Sequence, residues 1–177
     1  MGVHDNLGLI QVYTGNGKGK TTASLGLAFR ALGHEFNVCM IQFMKKNDDY
    51  GEVKAARKLP NFKFIQVGRE AFIDLKNPES IDYKLAEEGW ELAKSVILSE
   101  QYSIVILDEI NVAMAAKLLD ASTVAAFLQE KKNSTEVVLT GRYAPDEITT
   151  IAHLVTEMHE IRHPFSLGVP ARKGIDY

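Results

Sequence analysis

Apolar and polar positions along this chain follow two periods in turn. The runs LIQVY, VCMIQF, FKFIQV, SIVILDE and EVVLT are short and rich in β-branched residues, as strands buried on both faces are. Between them lie stretches of helical period: one from about Thr21 to Leu32, a short one over EVKAARKL, a long one from about Pro78 to Ser99, helical material from Val112 to Lys132, and one after Pro145. LVTEMHEI adds a last apolar run. This alternation predicts an α/β fold with a mostly parallel sheet and helices on both faces. In the long helix Leu85, Trp90, Leu92, Val96 and Ile97 recur near helical spacing among charged residues, which favours a core position for Trp90 over a stacking platform. Lys45 to Gly51 and Gly68 to Pro78 read as loops, each directly after a strand pattern. Ligands of open α/β sheets sit beyond the carboxyl ends of strands, so both loops are candidates for shaping a substrate site.

The 177 residues suit one domain, taken as residues 1–177, able to bury roughly 70% of the surface an unfolded chain exposes. A composition of 46% hydrophobic and 24% charged residues, with no low-complexity tract, excludes a largely disordered chain. The net charge of −3 gives no general attraction to DNA or RNA. The single cysteine, Cys39, stands in an apolar run without an intrachain partner, which fits a buried small hydrophobe in a reducing compartment. No span of about 20 apolar residues occurs, and MGVHDNLGLI lacks the basic flank and long apolar run of a leader. The expectation is a cytoplasmic protein with neither nucleic acid nor membrane as partner.

Candidate chemistry begins at YTGNGKGKTTAS, between the first strand pattern and the first helix. Gly15, Gly17 and Gly19 let the backbone turn tightly and present its N–H groups, and Lys20 and Thr21 open a helix whose positive end faces the loop. The usual phosphate-loop pattern has a glycine where this chain has Thr14. Lys20 is expected to reach the outer phosphates and Thr21 to ligate Mg²⁺; Lys18 adds positive charge or is a solvated loop residue. SIVILDEI ends a strand in Asp108 and Glu109, carboxylates suited to holding Mg²⁺ directly or through water, although such a pair also suits a plain helix start. In LTGRYAPDE, Arg142 follows another strand and precedes a helix that Pro145 can begin, so its guanidinium either clamps a phosphate or faces solvent. His163 in RHPF has no accompanying serine or cysteine nucleophile motif, and the five histidines show no metal-ligand spacing.

Together YTGNGKGKTTA, FRALGH, IQF, VILDEI, LTGR and the closing HPFSLGVPARKGIDY resemble the P-loop type of ATP:corrinoid adenosyltransferases over nearly the whole chain. The resemblance implies a RecA-like P-loop core, Mg²⁺ or Mn²⁺ as cofactor, and commonly a homodimer. It implies transfer of the 5′-deoxyadenosyl group of ATP to the cobalt of a corrinoid reduced to Co(I), with triphosphate as leaving group and an electron donor for the cobalt. By motif match Gly15, Asn16, Gly17, Lys18, Gly19, Lys20, Thr21 and Thr22 hold the polyphosphate, Thr21 and Glu109 the metal, and Arg142 a phosphate. Lys20, Lys18 and Arg142 are the expected catalytic countercharges, with Asp108 as a further metal candidate. Relatives carry a Phe and Trp pair after the third strand; here GREAFIDLKNP offers Phe72 alone, for the corrinoid side or for packing. A RecA-like P-loop ATPase, sharing the loop and the acidic strand, is the alternative.

Overall fold

The computed structural model describes residues 7–71, 73–132 and 134–177; Phe72 lies outside them. In chain order the elements are β1 (Ile10–Thr14), α1 (Lys20–Leu32), β2 (Val38–Phe43), α2 (Gly51–Ala56), β3 (Phe62–Val67), α3 (Ser80–Leu98), β4 (Ile104–Asp108), α4 (Ile110–Ala115), α5 (Ala121–Glu130), β5 (Glu136–Thr140), α6 (Asp146–Ile151) and β6 (Leu154–Glu157). A 3₁₀ turn over Pro164–Leu167 follows. The strands make one sheet in the order β3-β2-β4-β5-β1-β6. Every adjacent pair is parallel. All carboxyl ends therefore share one edge, and β1 is separated from β4 by β5 alone.

The period of two decides which core each side chain enters. On β2, Cys39, Ile41 and Phe43 join one apolar cluster while Val38 and Met40 join the other. On β4 the split is Val105 and Leu107 against Ile104 and Ile106. α3 through α6 supply the first cluster and α1 and α2 the second, which is the expected sheet with helices on both faces. Trp90 is buried in the first cluster, its ring edge-on to Phe127 with centroids 5.3 Å apart. Burial pushes the Cys39 thiol up to about 12, so it stays protonated and behaves as the small hydrophobe its surroundings suggest.

Two elements differ from the sequence expectation. The helical stretch from Val112 to Lys132 is two helices, α4 and α5. Lys117 takes a left-handed conformation (φ 59°), and Asp120 restarts the helix as its N-cap, accepting from the Thr123 N–H at 3.1 Å and from the Ser122 and Thr123 hydroxyls at 2.6 Å each. Those donors draw the Asp120 carboxyl down to about 2. LVTEMHEI pairs for only four residues, as the exposed edge strand β6. The chain then turns across the end of β1, with Met158 N–H donating to Thr14 O at 2.8 Å.

Leu107 is fully buried in β4, at the centre of the sheet. Leu107→Ala is expected to lower unfolding free energy by about 2–5 kcal/mol, measured by urea denaturation. A loss below about 1 kcal/mol would show that this core readily collapses around the cavity.

Candidate nucleotide site

The loop after β1 takes its shape from close backbone contact. Gly15 has φ +93°, and a Cβ there would lie 2.4 Å from Met158 O; one on Gly17 would lie 2.8 Å from the carbonyl of His159. Gly17 N–H donates to Met158 O at 2.7 Å, so the segment after β6 forms one wall of the loop. Only glycine fits at these two positions, because a side chain would collide with main chain. Lys20 begins α1 and folds back over the loop, donating to Gly15 O at 2.7 Å and Gly17 O at 2.6 Å. Burial lowers its pKa and nearby Arg142 lowers it further, against the opposing pull of Glu109 and Asp108. Asn16, Gly19 and Thr22 complete the loop and first helical turn; Asn16 and Thr22 are exposed.

One buried carboxylate joins this loop to three other strands. Asp108 ends β4 with no solvent exposure, and its Oδ1 accepts from the Thr21 hydroxyl at 2.8 Å and from the Thr140 hydroxyl at 2.6 Å. Its Oδ2 accepts from Gln42 Nε2 at 2.9 Å, and Gln42 Oε1 accepts from Gln66 Nε2 at 2.8 Å. Burial raises the Asp108 pKa and the neighbouring Glu109 raises it further; Lys45, Thr140 and Gln42 act in the opposite direction. Glu109 is the left-handed N-cap of α4 (φ 63°), its N–H bonded to the Thr140 hydroxyl at 3.1 Å. A non-glycine residue held left-handed costs of order 1–3 kcal/mol and is commonest at functional sites. Here that conformation brings the carboxylate to Lys45, with Nζ 3.0 Å from Oε1.

The remaining candidates lie around this corner at different distances. Arg142 stands exposed two residues beyond β5, close enough for its charge to act on Lys20. The Thr14 hydroxyl, where the usual pattern has glycine, accepts from Ala144 N–H at 3.2 Å and so ties the Arg142 loop to the phosphate loop. Lys18 has a different partner. Its ammonium pairs with Asp176, which also accepts from the Arg172 N–H at 2.9 Å and from Arg172 Nε at 3.0 Å. His163 Nδ1 accepts from Phe165 N–H at 3.2 Å as the cap of the 3₁₀ turn, a structural use of that ring. The structure thus gathers Lys20, Thr21, Asp108 and Glu109 with Arg142 nearby, and leaves Lys18 exposed and paired with Asp176.

The family described as ATP:corrinoid adenosyltransferase BtuR/CobO/CobP matches residues 6–177. The chain belongs to that family. It is 40% identical to a corrinoid adenosyltransferase of Sinorhizobium sp, over 98% of this chain and 82% of the relative. It is 37% identical to the corrinoid adenosyltransferase of Escherichia coli (strain K12), over 98% of this chain and 87% of the relative. Among solved structures, the flagellar accessory protein FlaH from Methanocaldococcus jannaschii superposes with a TM-score of 0.56 at 15% identity, covering 85% of this chain and 71% of that one. That likeness concerns the fold alone, a parallel sheet with helices on both faces. The adenosyltransferase carries its loop, acidic strand end and arginine on the one sheet edge that this fold provides.

Sequence reasoning gave Gln42, Gln66 and Thr140 no role of their own in this family member, and it reached Lys45 only as the start of a candidate loop. The signal was present. Gln42 and Thr140 are polar residues near the carboxyl ends of largely apolar strands, and Lys45 comes two residues after such a strand. Buried polar groups at those positions have to find partners. Thr140→Val keeps the volume but takes a donor from buried Asp108 and the acceptor from Glu109 N–H. It is expected to cost about 1–3 kcal/mol in urea unfolding. An unchanged midpoint would mean that water replaces both bonds.

Proposed function

We propose that the chain, acting as a single domain, uses this corner to transfer the 5′-deoxyadenosyl group of ATP to the Co(I) centre of a reduced corrinoid. In the transfer cobalt donates two electrons to the ribose 5′ carbon, the cobalt–carbon bond forms, and the carbon–oxygen bond breaks with its electron pair going to triphosphate. Co(I) is itself a strong nucleophile, so the protein's work is placement and charge stabilisation. The observation that carries this reading is the convergence of Lys20 and Arg142 with the Thr21–Asp108–Glu109 corner, in a chain of this family. Negative charge grows on the departing triphosphate, and preorganised donors in a partly buried site stabilise it. Gly15, Asn16, Gly17, Gly19 and Thr22 serve as the cradle. Lys18, by motif match a further cradle residue, has to exchange Asp176 for phosphate to take part.

The donor set suits a small hard cation carried on the nucleotide. Among the described residues no group of three or more His, Cys, Asp or Glu side chains is placed to hold an ion. The Thr21 hydroxyl and the Glu109 carboxylate offer oxygen donors beside the phosphate cradle, the pattern by which Mg²⁺ or Mn²⁺ is shared between protein and phosphates. Asp108 Oδ1 accepts two hydrogen bonds and Oδ2 one, so it orients Thr21 and retains acceptor capacity toward the cation on Oδ2 alone. When bound, such a cation neutralises charge on the phosphate oxygens.

A homodimer fits the exposed edge strand β6, whose Leu154 and Val155 are 43% and 46% exposed. The same reading expects a cytoplasmic location and an electron donor for cobalt; no helix among the described residues is long and apolar enough to cross a membrane. The Phe72 assignment to the corrinoid side rests on the resemblance alone.

Lys20→Ala is expected to keep the fold and lower turnover by roughly 100-fold or more, followed by the absorbance of adenosylcorrinoid under anaerobic conditions. Wild-type turnover in a folded variant would remove Lys20 from the site. Glu109→Gln should weaken the dependence on Mg²⁺, because an amide is the poorer ligand for a hard cation; an unaltered Mg²⁺ titration would take Glu109 out of the metal shell. The bond itself is tested by phosphorus NMR. Triphosphate should accumulate in step with adenosylcorrinoid and only when Co(I) corrinoid is present, whereas stoichiometric ADP without alkylated cobalt would favour a RecA-like ATPase instead.

A further inference from the structure

The loop after β2 is fixed more firmly than a surface connection needs to be. Met44 turns the chain with a left-handed backbone (φ 64°), and its N–H donates to Val67 O at 2.8 Å. Gly68 packs so closely that a Cβ would lie 2.5 Å from Lys45 N. Asn47 N–H donates to Gln66 Oε1 at 3.1 Å, and Gln66 continues through Gln42 to Asp108. A chain of side-chain hydrogen bonds thus runs from the carboxylate that orients Thr21, across β2 and β3, to the backbone beside Lys45. These contacts set the position of one side chain above all: Lys45, whose Nζ rests 3.0 Å from Glu109 Oε1 and whose charge is felt at Lys20.

We propose that Lys45 is a further triphosphate-binding residue of the transfer, held on Glu109 until an anion takes it over. The inference rests on the transferase reading above. An ammonium is a compact charge with three donors on a flexible stem, able to leave a carboxylate and meet phosphate oxygens from a fixed backbone position. Lys20 approaches the cradle from the β1 side and Lys45 from the β2 side, so the two charges flank the Thr21–Asp108 corner. As the ribose carbon–oxygen bond breaks and its electron pair passes to the phosphate oxygen, Lys45 supplies a second lysine countercharge. Glu109 and triphosphate compete for the same ammonium, which makes the Lys45–Glu109 pair a latch that the substrate opens.

The test is a double-mutant cycle on binding of inorganic tripolyphosphate by calorimetry, with EDTA present to remove divalent cations. Lys45→Met is expected to weaken binding by at least about tenfold, the scale of one charge-assisted hydrogen bond, and Lys45→Arg to retain most of it. Glu109→Gln releases Lys45 and is expected to tighten binding, a gain that disappears in the Glu109→Gln/Lys45→Met double variant. Persistence of that gain without Lys45 overturns the proposal, because the effect would then come from removal of the carboxylate charge alone. A wild-type chain that forms adenosylcorrinoid, with a Lys45→Met variant that binds tripolyphosphate equally well, also overturns it while leaving the transferase reading in place. A wild-type chain that neither binds tripolyphosphate nor forms adenosylcorrinoid overturns both.

Discussion

A carboxylate buried without solvent exposure needs hydrogen-bond donors, and Asp108 obtains them from three separate parts of the chain. Thr21 comes from the start of α1, Thr140 from the end of β5 and Gln42 from β2. Each donor is set by the register of a strand or by the turn that follows one. The need to satisfy a single charge therefore aligns the carboxyl ends of the sheet, and the candidate site inherits its geometry from that alignment. Glu109 gains its orientation from the same source, since the Thr140 hydroxyl that donates to Asp108 also accepts the Glu109 N–H.

The arrangement also divides labour between fixed and adjustable charge. Lys20 is bonded to its own loop carbonyls and cannot move far without a phosphate to replace them. Arg142 is exposed, yet its loop is fastened to Thr14 by the Ala144 N–H. In chemistry where the substrate's own cobalt supplies the electrons, such placement carries most of the burden on the protein side.

The elements were legible in the sequence wherever local pattern and tertiary packing agree. β2 and β3 fall on VCMIQF and FKFIQV because both strands alternate their side chains between two cores. The break between α4 and α5 was less visible: the Ala-rich run carries helical propensity throughout, while the interruption depends on one left-handed lysine and the cap at Asp120. Motif spacing located the phosphate loop, the acidic strand end and Arg142. It gave no sign that Lys18 would face Asp176, because that pair spans 158 residues of sequence. The Gln66–Gln42–Asp108 chain was hidden for the same reason. Its members belong to three strands whose order in the sheet no local pattern encodes.

The backbone of Met158 and His159 against Gly15 and Gly17 has a bearing on how this scaffold tolerates change. Main chain meets main chain there, so neither side can yield to an added side chain by a rotamer adjustment. Gly15 and Gly17 thus have almost no neutral neighbours in sequence space. Tolerated change is expected instead where side chains meet solvent, as at residues 74–77 between β3 and α3. There Arg69 is anchored by ion pairs to Glu79 and Asp82, while the loop tip around Leu75 and Lys76 stands exposed. A laboratory search for tolerated substitutions would find them at that tip and none at Gly15 or Gly17.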